Sequence, residues 1–187
     1  MSAVRESVAR LRTGNGWTLL VVAAGWLLIQ GFRVALPALL PQIKVEFGVG
    51  NTGAGFALTV LWFAYAGMQF PSGVVADRVG ERRLLVGGVA LGTLCLGLFS
   101  VAPLFAVFLV ACGAFGVGAG LFGTPRDMLL SRTFPRTVNT AYTVTFSAGS
   151  VGAAALPLVV TSLATRFDWR AAVLGLLPLF ALVVFGL

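Results

Sequence analysis

Six apolar stretches, each close to the length that crosses a bilayer, are separated by short charged loops, and this alternation excludes most soluble folds. A hydrocarbon core of about 30 Å needs roughly 20 helical residues. Windows of that size fall at 17–40, 52–75, 84–101, 104–124, 141–163 and 171–187. The runs are continuous, whereas strands of a membrane barrel alternate apolar and polar residues, so the chain is expected to cross as helices. The expected fold class is an all-α membrane protein: a bundle of six transmembrane helices over 17–187, preceded by a short cytoplasmic segment over 1–16. Asn51 and Thr52, and Thr137 to Asn139, offer helix caps, while Pro103 and Pro135 mark breaks between spans. The first apolar run is too long, and lacks the small-residue cleavage site, to be a removable signal peptide.

Composition narrows the partners. Hydrophobic residues make up 58% of the chain and charged residues 10%, so a water-soluble fold would expose large apolar patches. A net charge of +7 is compatible with a nucleic-acid partner, but the basic residues are scattered through loops and form no stripe. No nucleic-acid partner is expected, and anionic lipid headgroups fit better. Cys95 and Cys112 both fall inside apolar spans and lack ligand spacing, so they read as packing residues with neither disulfide nor metal. No cofactor is expected.

Basic residues also orient the chain. With the N-terminus inside, Arg5, Arg10, Arg12, Arg78, Arg82, Arg83, Arg126, Arg132 and Arg136 are cytoplasmic, against Lys44, Arg166 and Arg170 outside. The positive-inside rule therefore predicts a multi-pass cell-membrane protein with both ends in the cytoplasm.

The spans differ in character. The third holds nothing more polar than Thr93, Cys95 and Ser100, and the sixth, from Ala171 onward, has no polar side chain; both are expected to face lipid. The fourth is a glycine ladder of Gly113, Gly116, Gly118, Gly120 and Gly123. Small residues let helix backbones approach and so mark protein-facing surfaces. Gly118 to Gly123 also satisfies a Gly-x-Gly-x-x-Gly pattern, but no strand precedes it, so a nucleotide-binding reading is rejected.

The loop after the second span reads Gly73-Val74-Val75-Ala76-Asp77-Arg78-Val79-Gly80-Glu81-Arg82-Arg83. Gly73, Asp77, Arg78, Gly80, Arg82 and Arg83 resemble, in identity and spacing, the signature of the major facilitator superfamily (MFS). The glycine-rich fourth span, Phe134-Pro135-Arg136, Gly149, Gly152 and Pro157, and Asp168-Trp169-Arg170 add to the resemblance, which covers nearly the whole chain. It implies two inverted three-helix repeats forming half of a twelve-helix transporter that works by alternating access. The chain is then expected to stop before a C-terminal half, and that missing half or a second copy of the chain is the expected partner. The resemblance also gives Asp77 the role of a cytoplasmic latch between halves. Independently, Asp77 sits at a helix C-terminus, where the macrodipole disfavours an anion, so it should need a cation or another helix's N-terminus as partner. Two departures limit the carry-over. Cys112 stands where many members have an arginine four residues before a glycine, and Gly149 is followed by Ala153-Ala154 rather than by the antiporter pattern.

The sequence also proposes a substrate site. Arg33 is read as the one ionisable side chain well inside a span, and such a charge costs at least about 2.5–3.5 kcal/mol, so it should face protein or water. Trp26, Gln30, Arg33 and Pro37 share one arc of the first helix; Trp62, Tyr65, Gln69 and Ser72 share one on the second; Asn139, Thr143, Ser147 and Ser150 share one on the fifth. Together they are expected to line one wall of a cavity, with Arg33, Gln30, Trp26, Tyr65, Gln69 and Asn139 binding substrate. Snorkelling of Arg33 to the headgroups is the competing reading. In a cavity, its guanidinium would select an anionic small molecule. No acid is read within the six windows, so if transport is proton-driven the titrating group is expected outside this chain or near the span ends, at Glu46 or Asp127. The absence of histidine and of paired acids speaks against an intramembrane enzyme. A non-transporting membrane interaction protein, or an inactive fragment, is the alternative.

Overall fold

The computed structural model describes residues 15–187. The proposed N-terminal segment and its Arg5, Arg10 and Arg12 therefore lie almost wholly outside the described residues. Among these residues seven helices account for six spans: α1 Gly16–Phe47, α2 Asn51–Val79, α3 Glu81–Val101, α4 Phe105–Thr133, α5 Val138–Arg166, and a sixth span split into α6 Trp169–Leu174 and α7 Leu177–Gly186. Among the described residues there is no strand. All six spans are long and apolar enough to cross a membrane.

Several helices overrun their hydropathic windows, because a charged side chain ends an apolar run without ending a helix. The difference is greatest in α4, which carries on through Pro125, Arg126 and Asp127 to Thr133. Glu46, Asp77 and Asp127 thus all lie within helices, in the stretches that extend past the hydropathic windows. The expected caps make no side-chain capping bonds: Gly50 and Thr137 occupy the N-cap positions, and neither α2 nor α5 has a side-chain cap bond. Asn51 instead accepts a 2.7 Å hydrogen bond from Lys44 Nζ, fastening the α1–α2 turn.

Packing follows the small residues. The most extensive helix contacts are α1 with α5 and α2 with α4. Exchanging the first three spans for the last three turns one pairing into the other, the relation expected of inverted triplets. The fourth helix uses its glycines on two sides. A Cβ at Gly120 would stand 2.6 Å from Met68 Cβ on α2, while one at Gly118 would stand 2.8 Å from the Gly88 carbonyl oxygen on α3. Neither position has room for a side chain, so backbones touch there directly. On α5, Gly152 meets the α1 backbone at Leu27, and Gly149 meets the Trp26 indole. Toward the Glu46 end, Phe32, Phe99, Phe108 and Phe115 form a chain of ring contacts at 4.8–5.7 Å, joined by Trp169 at 6.1 Å from Phe108.

Burial is uneven. The most apolar window of α1 is 72% buried, that of α2 only 17% and that of α5 28%. The third and sixth spans, expected at the lipid face, are more engaged, at 39% and 33%. Phe180 and Val183 turn inward, Phe180 against Phe115, while Leu179, Leu182 and Phe185 face outward. Polarity along a span failed as a guide here, because small residues in α3 recruit α4 and α7 as readily as polar ones would. The sixth span also has a discontinuity. Pro178 lacks an N–H, so the Leu174 carbonyl has no i+4 donor, and the turn between α6 and α7 tightens to a Leu176 N–H bond to Val173 O of 3.1 Å.

Candidate functional site

Arg33 points at α2. Its guanidinium lies 3.6 Å from the Tyr65 ring centroid and 4.1 Å from that of Trp62, two rings set edge to face at 88°. The residue is 3% exposed, so it is held in protein and does not snorkel. Cation–π attraction to two rings offsets part of its desolvation, on the order of 1–2 kcal/mol per ring when water is excluded. It does not complete the hydrogen bonding: Nε and Nη1 are buried without partners. Among the described residues no carboxylate pairs with it.

The other proposed site residues separate into groups. Trp26 is buried two turns from Arg33, and Gln30, half-buried, lies between them. Gln69 is exposed one turn beyond Tyr65, and its backbone carbonyl receives the Thr124 hydroxyl at 3.0 Å. Ser72 is buried and bonds the Gln69 carbonyl of its own helix at 2.9 Å. Asn139 is exposed in the first turn of α5. Since Gly149 is level with Trp26, Asn139 lies about 15 Å of helix from that level, and Arg33 lies about 10 Å away in the opposite direction. Asn139 and Arg33 are therefore too far apart along the axis to hold one small molecule together, whereas Ser147 and Ser150 are close to the level of Trp26. The Thr143 and Ser150 hydroxyls fold back onto the carbonyls of Asn139 and Phe146 at 2.9 and 3.1 Å.

A second buried arginine was not anticipated. Arg126, expected in a cytoplasmic loop, is 3% exposed within α4. Its guanidinium stacks 3.9 Å from the Trp26 ring and 4.9 Å from Phe146, and pairs with Asp127 Oδ1 at 2.8 Å through both Nε and Nη2. Its Nη1 has no partner. Periodicity carried the signal: Phe108, Cys112, Phe115, Ala119, Phe122, Arg126 and Leu130 recur at helical spacing and are all buried.

The signature loop forms its own cluster at the opposite end from Glu46. Gly80, at φ 90°, makes the tight turn between α2 and α3 that a side chain would strain. Asp77 finds its cation in Arg132 of α4 at 3.3 Å, and Arg132 also pairs with Glu81. Gly73 is half-buried, and a Cβ there would meet Thr124 at 3.4 Å, an ordinary contact. Arg78, Arg82 and Arg83 are exposed.

A six-helix apolar bundle with inverted pairing and this turn has counterparts among known proteins. The family description Major Facilitator Superfamily matches residues 21–187. The chain belongs to that superfamily. It is accordingly a multi-pass membrane protein. It is 29% identical over 170 residues to the multidrug resistance protein Stp of Mycobacterium tuberculosis, covering 90% of this chain and 32% of that protein. It is 31% identical over 147 residues to the drug efflux pump JefA of the same organism, covering 77% and 29%. Tetrameric PepTSo2 shares the fold, with a TM-score of 0.70 at 18% identity over 91% of this chain and 39% of that one. The chain spans about a third of the length of the curated relatives it matches.

Proposed function

We propose that this bundle is the N-terminal half of a secondary transporter that moves a small solute carrying an anionic group by alternating access. In this reading the Asp77 end is cytoplasmic, and a second six-helix bundle, either a C-terminal half or another copy, covers α2 and α5. The observation that carries the substrate class is Arg33. A guanidinium 3% exposed, with two buried donors unpaired, is costly to leave without an anion. It is held against α2, the least covered helix, where a solute between two bundles would meet it. The names of Stp and JefA support solute movement as the broader activity.

The test is uptake by proteoliposomes containing the transporter that carries this bundle. Arg33→Ala is expected to lower kcat/KM for carboxylate and phosphate solutes by about 10–100-fold, the loss of a charge-assisted fork, and to spare neutral ones. Arg33→Lys should recover part of the loss. Unchanged anion uptake by Arg33→Ala would refute the substrate class. Absence of any solute flux would favour the non-transporting alternative.

A further inference from the structure

Accepting that the bundle handles anions, we propose that Arg126 is a second anion-binding station, with Asp127 as a tethered, displaceable occupant that a soluble organic carboxylate replaces.

Three features support this assignment. The site is built like the first: a 3% exposed guanidinium lies over aromatic rings of neighbouring helices and keeps an unpaired donor. It is aligned with the first as well. Trp26, which Arg126 covers, and Arg33 are seven residues apart on one helix face, about 10 Å along the axis. Half-buried Gln30 stands between them.

The third feature is the poor fit of Asp127. Adjacent helical residues do not face one another, so the guanidinium must fold back along its own helix to reach its neighbour. It obtains a single oxygen: Nε and Nη2 both bond Oδ1, at 2.8 Å each. A free carboxylate can offer two oxygens to a guanidinium fork. The Asp127 side chain is 42% exposed, so water can receive it when displaced, and Phe146, 51% exposed, is the ring an entering anion must move aside.

The displacement makes opposite substitutions act in opposite directions. The full chain in phosphatidylcholine nanodiscs is titrated with radiolabelled benzoate by equilibrium dialysis. Asp127→Asn removes the competing charge, leaving only a neutral amide oxygen for an anion to displace, and is expected to tighten benzoate binding five- to tenfold. The double variant Arg126→Gln, Asp127→Asn should show none of that gain. Arg33→Gln, Asp127→Asn should keep a five- to tenfold gain over Arg33→Gln alone, so the two stations are read separately. If Arg33→Gln changes nothing while the Asp127→Asn gain stands, the Arg33 reading fails and this one survives. If Asp127→Asn binds no better than the parent, the second station is overturned. It is overturned equally if the gain vanishes when phosphatidylglycerol is added to the nanodisc, since a lipid phosphate is then the occupant. Asp127→Ala serves if Asp127→Asn does not fold. Failure of both to fold also overturns the proposal, because a displaceable occupant is not required for folding.

Discussion

The two ends of the bundle are tied together in different ways. At the Glu46 end, Arg170 bonds Glu46 through Nε at 2.7 Å and donates to the carbonyls of Ser100 at 2.9 Å and Ala102 at 2.6 Å. Glu46 also accepts the Trp169 indole N–H. One guanidinium thereby caps the C-terminus of α3 and fixes α1 to the sixth span, and the Ser100 hydroxyl returns a 3.3 Å bond to the Arg170 carbonyl. The cluster is better covered than its counterpart: the Arg170 side chain is 22% exposed, Glu46 36% and Trp169 1%. At the Asp77 end, Arg132 and Asp77 are 61% and 63% exposed and joined by one 3.3 Å contact. The first arrangement is a permanent joint inside the bundle. The second is a pair that water, salt or another partner can replace, as a latch to a second bundle would require.

Substitutions at the joint should therefore have larger consequences for stability than substitutions at the latch. The largest effect is expected from Arg170→Ala, which leaves Glu46 without its cation, with only the Trp169 indole N–H as partner, and two helix-end carbonyls unserved. A loss of about 3 kcal/mol, read as a drop in Tm in mild detergent, is expected from several charge-assisted bonds. Glu46→Gln keeps the shape and one acceptor, so about 1–2 kcal/mol is expected by the same measurement. Asp77→Asn should cost under about 1 kcal/mol and less still at high salt, while impairing solute uptake by the transporter that carries it. A Tm loss at Asp77→Asn equal to that at Arg170→Ala would erase the distinction between the two ends. Wild-type uptake by Asp77→Asn would remove the latch.

How much of this was legible beforehand depends on what kind of force decided each feature. The six spans were legible because hydrocarbon thickness fixes their length, and the turn at Gly80 because its residues and spacing are distinctive. The cation partner of Asp77 was foreseen in kind, from its place at a helix end, though not as Arg132. Arg126 was missed because hydropathy windows treat a charge as a boundary, whereas α4 continues its buried stripe straight through it. The convergence of Asn139 with Arg33 failed for a different reason. Angular position on a helix says which way a residue points but nothing of its height, and only the Trp26–Gly149 contact sets the level of α5 against α1. Which helices remain uncovered was illegible as well, since it depends on how the glycines of α3, α4 and α5 pair across the bundle.

The notch between α6 and α7 gives the last span a weak point at half its height. The Leu174 oxygen, deprived of its donor by Pro178, retains a lone pair in an oily setting, and Leu174 itself is 48% exposed. One half of that span is moored through Trp169 and Arg170, and the other through Phe180 beside Gly92 and the Trp17 indole N–H, which donates to the Gly186 carbonyl at 3.0 Å. A bending stress on the bundle would concentrate where the ladder of backbone bonds is one rung short, so that the two tethered portions flex there against each other.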